Sequence, residues 1–600
     1  MTSHRSRPRR VPLLARLLSV LVLTSLLAGA SVDAQEHVDS RPAPTVAPIR
    51  IVGADPRTTP LPGEYERRDL LERHEEAGEE EREEEASLRP PIDPNARPEL
   101  VVPSSPQTPR PQASLGRAPG DFAFYATHQY VDAETADFVA GQACEPSIGM
   151  NGRISWVSGN WFANVSGDYL ANANFVNPAT NFGGTAVFCC DQVVQYDRTR
   201  GAMFWYLQYS TDANGNNIGR LAVSVGQPDQ ENNIWFAYDL SPQLFGYADS
   251  TWFDFPDLVL GSNYLYVTTD IRGAPDRAIC MRMSLDDLAA GNTVTIDNFV
   301  SSTFNIRGTH GAGSTIWVAS HVDNNTMRIW QWSEGGSPSS LTRDVDAWFQ
   351  GSNAPDPNGV NWVGFDQGRI VTAYAAGSSV FFLWDSAEGG SFPFPHVRIA
   401  AFRQSDRQLI GQGQIWNSTF AWAYPAVHPN DRGDLGGVIA FGGGGAFPGV
   451  AAVVVDAFGG SHLGPYQGFT LSNGDLGPST NRYGDYFTCR RANPFGNTWV
   501  ATGWVRRTTE PGSQTEPWSC WFGREQDRPP AQKTIRVDLA NTATWEDGTT
   551  SHPYDTVFEG SYATMPGDVV EIQAGTYGET AVLDRACTLR AINGTVVVGQ

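Results

Sequence analysis

Lysine is almost missing from this chain: Lys533 is the sole one among 42 Lys and Arg residues, set against 65 Asp and Glu. The resulting net charge of −23 repels nucleic acid and anionic membrane surfaces, so neither is expected as a partner. Long apolar runs are missing too. Past the N-terminus no segment is apolar for long enough to cross a bilayer as a helix, and no membrane span is expected. Cysteine is scarce, with seven in 600 residues, and no two of them form a C-x₂-C pair. No His lies at a ligand offset from them, which excludes a zinc site of ordinary spacing. Sustained 3.6-residue periodicity is rare, which excludes a helical bundle. The run Gly442-Gly443-Gly444-Gly445 lacks the Lys-Ser/Thr of a phosphate loop and reads as a turn.

What is present begins with an export pattern. Arg5, Arg7, Arg9, Arg10 and Arg16 flank the apolar stretch Leu17 to Leu27, and Val32-Asp33-Ala34 offers small residues for cleavage before Gln35. Residues 1–34 are therefore expected to be a signal peptide, and the protein secreted or periplasmic. In that oxidising setting Cys489 and Cys520, which share one repeat, are expected to form a disulfide. Cys144 is placed to bridge to Cys190 of the vicinal pair Cys189-Cys190. Residues 35–118 read as a disordered linker. Proline is frequent from Arg41 to Pro62 and from Pro90 to Pro111, and the acidic stretch Glu64 to Glu85 lies between them.

Residues 119–527 carry a recurring hydrophobic strand. Its copies start at Ile154, Phe204, Leu265, Ile316, Ile370, Val438 and Trp499. A spacing of roughly 50 to 70 residues fits one four-stranded propeller blade with decorated loops. Turn pairs such as Asn214-Gly215 and Asn358-Gly359 agree with many short strands. A second element precedes most copies: Cys190 to Val194, Phe255 to Val259, Trp362 to Asp366, Tyr424 to Val427 and Gly484 to Phe487. These read as the innermost strands, with the recurring copies second or third from the axis. The fold class expected is all-β, a seven-bladed β-propeller.

Three stretches carry a family likeness. They are Glu145-Pro146-Ser147-Ile148 with Gly159-Asn160-Trp161-Phe162, then Cys190-Asp191-Gln192-Val193 with Gln208-Tyr209-Ser210, and Arg482-Tyr483-Gly484-Asp485-Tyr486. On these the region 140–525 resembles secreted bacterial seven-bladed propellers of sialidase-like architecture. The Ser-x-Asp-x-Gly-x-Thr-Trp box of true sialidases is absent from every blade, so the likeness implies fold rather than activity.

Residues 531–600 form a different unit. A short helix is expected within Asp555 to Met565, followed by strands near Asp568 to Gln573, Thr580 to Leu583, Cys587 to Ile592 and Thr595 to Val598. The motif Pro566-Gly567-Asp568-Val569-Val570 with Ala574-Gly575-Thr576-Tyr577 resembles the start of a pectate-lyase-like right-handed β-helix. The apolar edge Thr595 to Val598 is expected to pair with another surface.

The candidate chemistry sits on the innermost strands. Arg482, Asp485 and Tyr486 form the densest polar cluster, where Arg offers a planar fork and Tyr a stacking face to a sugar or carboxylate. Asp191, Asp257 and Asp366 occupy comparable places in other blades and are expected to face one another across the channel. His310 and His428 read as isolated loop residues. The stretch Asp212 to Asn217 starts like a calcium loop, but Asn217 and Val223 stand where Gly and Glu are required, so it reads as a hairpin turn. No metal ligand set and no cofactor is implied, and calcium is the one ion the channel carboxylates would suit. The reading is an exported, non-enzymatic propeller that binds a glycan or an extracellular protein at its loop face or channel mouth. The alternative is a glycan-active hydrolase or lyase using paired mouth carboxylates.

Overall fold

Seven four-stranded antiparallel sheets succeed one another along the chain and close into a propeller. The computed structural model describes residues 43–57, 114–115, 122–130, 143–183, 187–273, 277–364, 368–455, 462–478, 481–509, 512–530, 532–543, 546–565, 567–580, 583 and 585–599. Blade 1 runs from Ser147–Asn151 to Ala171–Val176, blade 2 from Phe188–Asp197 to Ile234–Leu240, and blade 3 from Trp252–Leu260 to Asp297–Ser301. Blade 4 runs from Arg307–Gly308 to Ser339–Asp344, blade 5 from Ile370–Ala376 to Leu409–Ile415, and blade 6 from Ala421–Pro429 to Tyr466–Asn473. Blade 7 holds Thr488–Arg491, Trp499–Thr509 and Gly512–Arg524. Its fourth strand is Phe122–Gln129, which pairs antiparallel with Gly512–Arg524 from Trp518↔Gln129 to Arg524↔Phe122. The N-terminal end of the body thus closes the ring through backbone hydrogen bonds.

Burial explains why the recurring copies stand out in the sequence. A second strand is covered on both faces by neighbouring blades, so it reads as a continuous apolar run rather than an alternation. Ala202–Tyr209 and Leu435–Gly443 are buried at every position. The outermost Ser339–Asp344 is polar and partly exposed. Six copies are second strands, and the Ile370 copy is a correction. Ile370–Ala376 is the innermost strand of blade 5, and Ser379–Ser386 is the second. Both are mostly buried, so their patterns look alike. Trp362 to Gly364 is a turn ahead of that blade, and residues 365–367 lie outside the described ones.

Within the stretch read as a linker, Ile49–Val52 adds a fifth strand to blade 2 beside Ile234–Leu240. Thr45–Val46 pairs with Val294–Thr295 in blade 3, and Ser114–Leu115 lies parallel to Tyr466–Asn473. Apart from 43–57 and 114–115, residues 35–118 lie outside the described ones. The C-terminal unit has three parallel strands, Thr534–Val537, Val569–Tyr577 and Thr588–Val598. Its helix Val557–Tyr562 is capped by Thr556, whose hydroxyl accepts from the Glu559 N–H. Arg153, fully buried in the hairpin after the first strand of blade 1, donates to the Tyr562 carbonyl at 2.9 Å and pairs with Glu231 at 2.6 Å. Arg585 reaches the same Glu231 at 2.5 Å. The unit therefore docks where the innermost strands end. No helix among the described residues is long and apolar enough to cross a membrane.

Candidate functional site at the channel mouth

The innermost strands bring polar residues together where they begin. Two of them carry a bulge at an aromatic-proline pair. Phe255 (φ 52°) precedes Pro256 and Tyr424 (φ 54°) precedes Pro425, each at a shift in strand register. Bulges re-aim side chains, and Phe255 becomes a platform under two guanidinium groups. The Arg307 Cζ lies 4.0 Å and the Arg369 Cζ 4.8 Å from its ring centre.

Asp485 is the hub of the mouth. Arg369 Nη1 lies 3.1 Å and Arg482 Nη2 3.3 Å from its Oδ2. Its backbone N–H donates to Glu145 Oε1 at 2.9 Å. Glu145 is fully buried, accepts from Asn160 Nδ2 at 2.9 Å and is hydrogen-bonded to Asp191. These surroundings separate the two acids. Burial, reinforced by the Asp485 charge, pushes the Glu145 carboxyl above its ordinary range. Burial acts on Asp485 in the same sense, but Arg369 and Arg482 outweigh it and hold that carboxyl below its ordinary range.

The Arg482 side chain keeps 12% exposure and Asp485 only 4%, so of this pair the arginine is the more open to solvent. Tyr486 is buried and donates to the Gln192 carbonyl at 3.4 Å, so it is not an open stacking face. Asp191 joins the cluster. Asp257 does not: it lies deeper along the axis, within 3.7 to 4.0 Å of His310, Arg307 and Arg490. Asp366 falls outside the described residues. His310 and His428 are not loop residues but buried channel residues with ring centres 5.7 Å apart, and burial holds both well below the usual histidine range. Sequence reasoning missed Arg307 and Arg369 altogether. Each precedes or opens an innermost strand, a position that shows its meaning only after the ring closes.

The expected disulfides are corrected. Cys489 faces Ala501, and Ala501 faces Cys520, so a whole strand separates the two thiols. Two strand spacings are roughly 10 Å, beyond the Cα separation of about 7 Å that a bridge tolerates. Both are free, as is Cys144, because Cys190 is joined to its neighbour Cys189. Asp212 accepts from the N–H groups of Asn214 and Asn216 and closes a hairpin turn. Among the described residues one acid trio has ligand atoms within 4.8 Å of one another, Glu546, Asp555 and Glu559, and it lies in the C-terminal unit away from the mouth. Burial pushes Glu559 up to about 7.

No protein-family description matches the chain, and no characterised protein matches it in sequence. Solved structures with a similar chain course include the β-propeller domain of the Trilobed protease from Pyrococcus furiosus, at 8% identity over 60% of this chain and 91% of that one, TM-score 0.33. A thermostable family-43 glycoside hydrolase aligns at 11% identity over 56% of this chain and 92% of that one, TM-score 0.27. An α-L-arabinanase from Penicillium chrysogenum complexed with arabinobiose aligns at 8% identity over 63% and 93%, TM-score 0.30. Likeness at this level assigns no activity.

Proposed function

We propose that this chain is an exported propeller that binds, without turning over, a glycan or protein ligand through a carboxylate seated on the channel mouth. The observation that carries this reading is the pair of guanidinium groups, Arg369 and Arg482, gathered on Asp485 at the mouth, with the Arg482 side chain more open to solvent than its partner. An arginine fork suits a carboxylate, and an acidic surround disfavours non-specific anions. The signal pattern at 1–34 supports export. The parallel C-terminal strands are read as the first rungs of a β-helix that serves docking rather than catalysis. The test is binding of uronate-containing and neutral oligosaccharides to the wild type and to Arg482→Ala. Selective binding of the acidic sugars, weakened about tenfold or more by the substitution, supports the reading. Equal binding of neutral and acidic sugars, unchanged by Arg482→Ala, rejects it.

A glycan-active hydrolase is the second reading. It is favoured by the opposite displacement of the Glu145 and Asp485 carboxyls, the arrangement that acid–base pairs need. Turnover of a bound oligosaccharide that is abolished in Glu145→Gln would establish it.

A further inference from the structure

Below the mouth the channel narrows to a cavity of about 20 Å³, lined by residues of blades 2 to 7. That is room for one water-sized particle. Its polar lining consists mainly of donors. Arg490 Nη1 donates to His310 Nε2 at 3.5 Å, which leaves the neutral ring's proton on Nδ1. His310 Nδ1, Arg307 Nε and Arg490 Nε are all buried without an acceptor among the described residues. The one carboxylate present, Asp257, stands 3.8 Å from Arg307, 3.7 Å from His310 and 4.0 Å from Arg490, too far to accept directly from any of them. It accepts instead from the Leu258 N–H at 2.9 Å. Arg307 Nη1 donates to the Pro256 carbonyl at 3.1 Å and Arg490 Nη1 to the Cys489 carbonyl at 3.2 Å, so two guanidinium groups face one carboxylate with no direct hydrogen bond across the void. A buried charge left uncompensated is costly.

From this geometry we infer that the waist of the channel is a binding site for a single monovalent halide, held between Arg307 and Arg490. A halide accepts from several donors at once and offers none, which is what the void lacks. A water molecule would bring two protons of its own into a lining already crowded with guanidinium donors, whereas a halide brings none. The ion would tie blades 4 and 7 together across the axis. The site shares Arg307 with the floor of the mouth but does not use Arg482 or Asp485.

The test uses crystals of the full chain grown in chloride and soaked in bromide, with diffraction recorded at the bromine absorption edge. An anomalous peak within the Arg307–Arg490–His310 void is expected. Density there without an anomalous peak means water, and overturns the proposal. In solution, the melting temperature should rise and saturate with chloride when ionic strength is held constant with gluconate. Arg490→Met should abolish that dependence. If that variant does not fold, Asp257→Asn decides the matter, because removing the competing carboxylate should lower the chloride concentration needed for half the shift. An unchanged or higher half-saturation in Asp257→Asn counts against a halide.

Discussion

The backbone N–H of Asp485 donates to Glu145 Oε1 at 2.9 Å, and this contact joins blade 7 to blade 1 at the seam of the ring. The same Asp485 carboxylate neutralises Arg369 and Arg482. Removing it takes from both arginines the carboxylate they share, the loss of a buried ion partner that costs on the order of 3–5 kcal/mol. Asp485→Ala should lose stability of that size in urea denaturation. Arg482→Ala should lose less, because its side chain still reaches water, and the double variant should be far from additive. Glu145→Gln keeps the acceptor for the Asp485 N–H and should cost little at neutral pH. Additive losses in the double variant would separate Arg482 from the hub.

A pH effect follows from Asp270, which is buried beside Arg272 with Oδ1 accepting from the Asn305 N–H at 2.8 Å. Burial pushes its carboxyl up to about 7. The folded state then holds a proton that the unfolded chain releases near pH 3.9. Its contribution to stability is complete below that pH and is lost as pH rises toward 7. Relative to Asp270→Asn, the wild type should therefore lose on the order of 2–4 kcal/mol between about pH 4 and pH 7. Parallel stability curves for the two proteins across that window would contradict the assignment.

Much of the fold was legible in the sequence, because blade packing writes itself into composition. A strand sandwiched between blades must be apolar on both faces, and Ala202–Tyr209 shows this directly. The same pattern is ambiguous at Ile370, where an innermost strand is nearly as buried as a second strand. The mouth was only half legible. Arg482, Asp485 and Tyr486 lie within five residues and could be seen together. Arg307 and Arg369 come from other blades, and Glu145 from the far end of the ring closure. Their convergence is a property of the closed circle and leaves no local trace. The cysteines failed for a related reason: membership of one blade does not say whether two strands are adjacent or one strand apart.

The thiols give a direct check on that correction. Cys144, Cys280, Cys489 and Cys520 are buried as free thiols, and Cys587 is partly exposed. Burial raises the first four above the ordinary thiol range and keeps them unreactive. Alkylation of the native protein without reductant should modify Cys587 alone, and alkylation after unfolding should modify all five. A peptide linked through Cys489 and Cys520 in a non-reducing digest would restore the original expectation.

Ring closure should depend on Phe122. It is buried at 5% exposure, stacks on Phe469 at 3.8 Å between ring centres and meets Phe124 edge-on at 5.2 Å. Truncating a buried Phe costs about 3–5 kcal/mol. Phe122→Ala should lose stability of that order and loosen the whole strand Phe122–Gln129. Hydrogen exchange should then rise in its partner Gly512–Arg524 and spread little to blade 4, across the ring. Uniform loss of protection in all blades would show that closure and ring stability are one cooperative unit.

The C-terminal unit offers the last test. Its contact with the propeller is built on Glu231, which gathers Arg153, Arg585 and the Tyr562 hydroxyl on one carboxylate. Lys533 adds its ammonium 3.2 Å over the Tyr169 ring. These residues lie where the innermost strands end, while Arg482 and Asp485 lie where they begin. Deleting 531–600 should therefore leave ligand affinity at the mouth within about twofold, below the tenfold that 1.4 kcal/mol would produce. It should also uncover Arg153, which is fully buried, and lower solubility. Among the described residues the strand Thr588–Val598 has no neighbour along its outer edge, with Leu589 at 45% and Val598 at 38% exposure. Such an edge pairs readily with another chain. Sedimentation of the full chain should accordingly show association that Val597→Lys suppresses and that the 531–600 deletion abolishes. A strictly monomeric full chain at high concentration would leave the edge without that role, and a tenfold loss of mouth affinity on deletion would show the two ends of the channel to be coupled.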